Sequence, residues 1–261
     1  MRALYTAATG MAAQELNVQV ISNNIANMRT TGFKRQRAEF QDLLYQDVER
    51  PGSATADTGA VLPSGIQIGV GVRTAAIYRI TGQGNLASTS NPYDVAINGK
   101  GFFHVMMPDG TDAYSRDGAF QLSQDGQIVT DKGYVVVPGI AVPQDAISVT
   151  INGVGQVQAV VAGQTAPQTL GQLELARFPN EGGLQAMGDN LYTETLASGA
   201  VLTGLPGSPG FGTLQQGFLE TSNVNPVKEI TDLITAQRAY EMNSKVITAA
   251  DQMLQITSKM S

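Results

Sequence analysis

The stretch Asn225–Ser261, NPVKEITDLITAQRAYEMNSKVITAADQMLQITSKMS, decides how this chain is organised. Asn225 suits a helix N-cap, and Pro226 suits the first helical position, where the missing N–H deprives no carbonyl. Beyond Pro226 there is no Gly or Pro to stop a helix. Leu233, Tyr240, Ile247 and Leu254 recur every seven residues. Ala239, Val246, Met253 and Met260 form a second such row, and Met242, Ala249 and Ile256 a third. Wound on 3.6 residues per turn, these rows cover an arc of about 160°, wider than a two-stranded seam. Arg238, Glu241, Lys245, Gln252 and Lys259 take the opposite face, and the Glu241/Lys245 pair adds roughly 0.2–0.5 kcal/mol. Either the helix packs within its own chain, or helices from further copies complete the burial.

The other end reads similarly. Residues 1–30 hold one Gly and no Pro. Leu4, Met11, Val18 and Ile25 are spaced by seven. Ala7, Ile21 and Met28 follow members of that row by three, and Gln14 interrupts it. Ala7, Ala8, Gly10, Ala12 and Ala13 are small enough for a neighbouring helix to approach closely. Gly10 costs about 1 kcal/mol relative to Ala, so another contact should stabilise that turn. The helix is expected to end near Thr30-Thr31-Gly32, with Gly32 as a left-handed cap. Asn17, Asn23, Asn24 and Asn27 are poor helix formers. They make either a polar face or hydrogen bonds that fix a helix–helix register. Arg29, Lys34, Arg35 and Arg37 read as a solvated helix end, with an anion-binding patch as the alternative.

Between the ends the grammar changes to β. Ile66–Val72 alternates with period two, and short strand candidates include Ala75–Ile80, Phe102–Met106, Ala119–Leu122, Ile128–Thr130, Ile147–Ile151, Val157–Val161 and Leu173–Phe178. Asn98-Gly99, Asp109-Gly110, Asp117-Gly118, Asp125-Gly126 and Asn152-Gly153 supply turns. The expected fold class is α+β. Segments 1–30 and 226–261 form a discontinuous two-helix coiled-coil domain. Residues 31–73 connect, with an extended hairpin or loop insertion, and 74–225 form a β-rich antiparallel barrel or sandwich. The Gly/Pro-rich stretches 49–65 and 198–213 read as loops.

Composition removes several kinds of function. The 261 residues include no Cys and one His, which excludes thiol nucleophiles, disulfides and zinc sites built on Cys or paired His. With 16 Lys+Arg against 22 Asp+Glu and 6% aromatics, the chain is a poor general nucleic-acid binder. No apolar run is long enough to cross a membrane. Gln14, Glu15 and Asn17 interrupt any signal-peptide core, which argues against the general secretory route but not against export by another machine. The glycine pairs lack a nucleotide-binding register, Asp109/Asp112/Asp117 lack a calcium-loop pattern, and His104 reads as a strand surface residue. No cofactor or metal is expected, and nothing marks a catalytic pair.

Three separated stretches carry a family resemblance. Leu4–Lys34, LYTAATGMAAQELNVQVISNNIANMRTTGFK, resembles the N-terminal signature of the bacterial flagellar axial proteins, which comprise rod, hook and hook-associated proteins. Gly217–Leu254 resembles their C-terminal signature, and Asp94–Val136 their shared β domain. The chain departs at Ile147–Val160, where the family more often carries an Asp-Gly turn. It is too short for the extra outer domain of the hook protein. Tyr45–Arg73, YQDVERPGSATADTGAVLPSGIQIGVGVR, resembles an insertion that separates a rod member from the bending hook.

The resemblance implies a structural subunit, not an enzyme. It would polymerise into a helical filament with rod, hook or junction proteins as axial neighbours and periplasmic and outer-membrane ring proteins around it. The flagellar type III apparatus would export it. Self-assembly would rest on Leu4, Met11, Val18, Ile21, Asn23, Asn24, Ile25, Asn27 and Met28 of the first helix and Leu233, Tyr240, Val246, Ile247, Met253 and Leu254 of the second. Tyr45, Pro51, Leu62, Pro63, Ile66 and Ile68 would stiffen the filament. The reading from another class is a trimeric β-rich glycan-binding module.

Overall fold

The computed structural model describes residues 2–49, 65–163 and 166–260. They fall into two compact units. The first is built from the chain up to Ile25, Gln36–Tyr78 and the chain from Asn225 onward, and the second from Ala26–Arg35 and Arg79–Val224.

Two helices dominate the first unit: α1, Arg2–Ala26, and α2, Pro226–Met260. At 35 residues α2 is about 50 Å long. Its N-terminus is capped as expected, with Asn225 Oδ1 accepting the Lys228 N–H at 3.2 Å. α1 stops short of the expected end. A turn closed by Thr30 N–H to Asn27 C=O, 3.2 Å, takes over after Ala26. Gly32 does adopt a left-handed backbone, φ 67°, but in a second turn, where its N–H donates to the Glu220 carbonyl.

The same unit carries a two-stranded ribbon. Strand β1, Gln36–Asp42, pairs with β4, Val72–Arg79. Strand β2, Tyr45–Glu49, pairs antiparallel with β3, Ile66–Gly69, and places Tyr45 opposite Gly69. Leu43 N–H donates to Gly71 C=O, 3.0 Å, and carries the pairing across the junction. The single strand expected over Ile66–Val72 is therefore broken at Val70-Gly71. Gly71 has φ 119°, and an added Cβ would collide with Thr9 Oγ1, so only glycine lets ribbon and α1 meet there.

The second unit is antiparallel β. Its largest sheet has nine strands, with Phe102–Met106 hydrogen-bonded to Asp112–Ser115, Val135–Val136 and Leu175–Arg177. A three-stranded sheet joins Ala146–Ile151, Gln156–Val161 and Gln168–Gln172. The sheets are open, and among the described residues none closes on itself into a barrel; Gln121–Leu122 and Gln185–Gly188 remain as edges of the large one.

Phe102 and Phe103 explain why the large sheet is covered on both faces. Adjacent residues on a strand point to opposite sides. Phe103 enters the main core with Phe120, Ile128, Val157 and Leu175, its ring 4.9 Å from Phe120 edge-on. Phe102 enters a second cluster with Tyr114, Phe178 and Tyr192. Buried aromatics of this kind carry much of the stability of a β domain.

The turns follow local chemistry. Asp109-Gly110 and Asp125-Gly126 close tight turns, with Gly110 N–H to Met107 C=O at 2.9 Å and Gly126 N–H to Ser123 C=O at 3.0 Å. Asp117-Gly118 is not a hairpin turn. Gly118 lies so close to the Val95 carbonyl that a Cβ would overlap it, and the Val95 N–H bonds back to Gly118 C=O. At the departure from the family pattern, Asn152 makes the turn by accepting Val154 and Gln156 N–H groups.

Candidate assembly interface

The two helices meet through small and polar residues. An added Cβ on Gly10 would lie 2.8 Å from Asn243 Nδ2, so α1 and α2 approach closely at this turn and leave no room for a large side chain. This contact is the stabilisation that the glycine requires. Farther along, Asn24 Nδ2 donates to Glu229 Oε2 at 3.0 Å and to the Gln36 carbonyl at 2.8 Å, while Asn24 Oδ1 accepts the Gln36 N–H at 2.9 Å. Asn24 is 1% exposed and Glu229 0%. The Gly10 and Asn24 contacts fit one antiparallel register. Asn24 therefore makes the helix–helix hydrogen bond that a register-fixing role requires. Asn23 is exposed, and Asn27 lies beyond the helix, where its Oδ1 accepts the Thr30 hydroxyl.

Along α2 the buried positions are Glu229, Ala236 and Ala250, on the same seven-residue row as Asn243. That row is not among the bulky ones read from the sequence. Leu233 and Ile247 flank it and are half-buried. Tyr240, Val246, Met253 and Leu254 are exposed, together with Val227, Ile230, Ile234, Met242 and Ile256. On α1, Ile21 is buried, Leu4, Met11, Val18 and Ile25 are half-buried, and Met28 is exposed in the turn after the helix. A single chain thus buries the row of Glu229, Ala236 and Ala250 and leaves apolar side chains on both flanks of it in water, and exposed apolar surface of this extent marks an interaction site.

The ribbon has the same character. Leu44, Tyr45, Val48, Ile66 and Ile68 are exposed, and a two-stranded ribbon without a covering layer is marginal in water. Pro51, Leu62 and Pro63 lie outside the described residues.

A buried ionic cluster in the second unit was not visible in the sequence. Glu220, 1% exposed, binds Lys34 Nζ at 2.6 Å through Oε1 and Arg116 Nε at 2.5 Å through Oε2; Oε1 also accepts the Gly84 N–H. Arg116 donates from its two Nη nitrogens to the carbonyls of Ile97, Gly99 and Gly101. Burial alone would raise the Glu220 pKa, but Arg116, Lys34 and the Gly84 N–H outweigh it and hold the carboxyl below its ordinary value. Burial also lowers the Lys34 pKa, against the pull of Glu220. Lys34 is therefore not part of a solvated helix end. Arg37 does stay at the surface, over the Tyr78 ring at 4.9 Å.

His104 sits on its strand as read, its Nε2 2.8 Å from Asp112 Oδ1 and its ring stacked on Tyr114. Asp117, one of the acids weighed for chemistry, is occupied by the Ala119 N–H and Asn190 Nδ2. None of the described helices is long and apolar enough to cross a membrane.

Comparison with known proteins matches three parts of the chain. Residues 4–34 match the family described as flagella basal body rod protein, 96–159 the D1 domain of the flagellar hook protein FlgE/F/G, and 215–260 the C-terminal region of the flagellar basal body rod FlgEFG proteins. Full-length relatives align as well. The chain is 60% identical to the flagellar basal-body rod protein FlgG of Caulobacter vibrioides over 100% of this chain and 99% of the relative. It is 54% identical to that of Agrobacterium fabrum, over 99% of both, and 40% identical to that of Bacillus subtilis, over 98% of this chain and 97% of the relative.

Proposed function

The chain belongs to the flagellar basal-body rod protein family, and from that premise we propose how its two units build the rod. It is a structural subunit of the flagellar basal body, not an enzyme, and it assembles into the rod with other flagellar components. In our reading it is the distal rod subunit. It polymerises helically into a rigid hollow shaft that carries torque from the motor to the hook and passes exported subunits through its bore.

One observation supports this reading above the others: α2 meets α1 through Glu229 and Asn243, on the row that also buries Ala236 and Ala250, while Tyr240, Val246, Met253 and Leu254 stay in water. A face that the chain cannot cover itself fits coverage by helices of neighbouring copies. Contacts between different patches of identical copies propagate as a filament when the rotation does not close. The helices would then supply the contacts that build the filament. A core shared by Val157 of the three-stranded sheet and Phe103 and Leu175 of the large one supports a sandwich-like rather than barrel-like reading of the β-rich unit.

The ribbon is the stiffening element in this account. Exposed Tyr45, Ile66 and Ile68 would pack on a neighbouring subunit and resist the sliding that lets a tube bend. Axial neighbours are proximal rod proteins on one side and hook or junction proteins on the other, with ring proteins as a bushing and export through the flagellar type III apparatus. Charge substitution of the exposed row, Val246→Asp with Met253→Asp, tests the reading. The monomer should keep its helix content and lose polymerisation. Undiminished polymer would remove the face from the interface.

A further inference from the structure

The chain passes between its two units four times, and three of those passages leave the β-rich unit fastened to one another. They follow Arg35, precede Arg79 and follow Val224. Asn223 joins them. Its Oδ1 accepts the Arg35 N–H at 2.7 Å, and its Nδ2 lies 2.8 Å from both the Ile80 and Gly82 carbonyls. The Ile80 N–H donates to the Arg35 carbonyl, 2.8 Å, which closes a ring of three segments. Lys34 Nζ adds a bond to Gly82 C=O at 3.1 Å, and the Thr221 N–H reaches Asn85 C=O at 2.8 Å. Directly behind the ring lies Glu220, whose buried carboxylate holds Lys34 of the first passage and the Gly84 N–H of the second.

This is more fastening than a connector needs. Loops between compact units usually run separately over the surface, and their backbone groups bond to water. Here a side-chain amide satisfies a donor and two acceptors from two other segments, and a buried carboxylate repeats the connection one layer down. Asn alone fits the ring, because the position requires an acceptor and a donor pair on one short side chain.

We propose that Asn223, backed by Glu220, is a clasp that makes three chain passages share mechanical load. The proposal rests on the rod reading above. Force carried along the chain between the units reaches all three segments through the ring. Without it, each segment opens alone, which exposes its hydrogen bonds one at a time. Asn223 is a positioning residue, acting through the segments it binds.

The test uses the full-length chain with Asn223→Ala and Asn223→Asp. Amide hydrogen exchange of the Ala variant should speed at Arg35 by about tenfold, the effect of losing one such bond, while Phe103 and Val105 in the core strand stay protected. The Asp variant keeps the acceptor for Arg35 and loses the two donors, so Arg35 should remain more protected than in the Ala variant. In cells, both variants should assemble rods of normal number and length. Swimming should fail at lower medium viscosity than for wild type, with the Ala variant failing first. Unchanged Arg35 exchange would overturn the clasp. So would faster exchange with undiminished swimming under load, or loss of protection throughout the β-rich core. Failure of the wild-type chain to enter rods would instead overturn the rod reading.

Discussion

Asn24 Nδ2 donates to Glu229 Oε2 at 3.0 Å, joining residues 205 positions apart in the chain. Both are buried, and Asn24 also holds the Gln36 backbone through donor and acceptor. The end of α1, the start of α2 and the start of the ribbon are thereby fixed to one another by two side chains.

Replacing Asn24 with Ala strands the Gln36 N–H and takes one donor from the buried Glu229 carboxylate, a loss of about 1–3 kcal/mol. Glu229→Gln retains an acceptor for Asn24 and should lose less. Circular dichroism melts of the full chain should show the helical transition moving down more in the first variant than in the second. Equal melts would mean the pair does not set the register.

Gly10 tests the close approach of the helices. Gly10→Ala gains about 1 kcal/mol of helix propensity, and its methyl group meets only the movable amide of Asn243, so the two effects should nearly cancel. Gly10→Leu cannot be accommodated that way. It should force the helices apart and raise the concentration needed for polymerisation, which light scattering measures. A Leu variant that polymerises like wild type would contradict the packing.

The Glu220 cluster predicts a specific acid response. Its carboxyl is held below the ordinary value of 4.5, so its stabilising contribution is complete above that pH and is lost as pH falls through the lowered value. Asp117 works the other way. Burial raises its pKa above 3.8, so its contribution is present in acid and is lost as pH rises through the raised value. Glu220→Gln leaves Lys34 and Arg116 buried without their anion. It should cost about 3–5 kcal/mol at neutral pH and flatten the acid limb of urea-unfolding stability. An acid limb as steep as wild type would place the response elsewhere.

The ribbon can be removed at a natural seam. Tyr45 faces Gly69, so excising Tyr45–Gly69 and closing with Asn-Gly leaves Gln36–Asp42 and Val72–Arg79 paired. The polymer should become curved and softer, seen as a shorter persistence length in electron micrographs. Straight tubes of unchanged stiffness would reject the stiffening role.

The helices were legible in the sequence because their signals are local. Asn225-Pro226 marks a start, the lack of glycine permits length, and periodicity marks the faces. Which face the chain uses internally was not legible. The Glu229, Ala236, Asn243 and Ala250 row reads as weakly apolar, and its value lies in close approach, which hydrophobicity does not register. Two alanines fourteen residues apart, Ala236 and Ala250, with Asn243 midway between them, were the available signal. Lys34 was misread because its partner is 186 residues away and no local pattern links them. Short strands such as Leu86–Ser88 escaped for the same reason, since Phe218–Glu220 supplies their pairing. The barrel expectation followed from turn spacing, which counts hairpins without saying whether the first and last strands meet.

Electron microscopy of the full-length chain, seeded with isolated basal bodies that lack it, tests the central claim most directly. The account predicts straight hollow tubes growing from the seeds, with the apolar face of α2 becoming protected from hydrogen exchange as they lengthen. A closed trimer that ignores the seeds, with that face already protected, would contradict it.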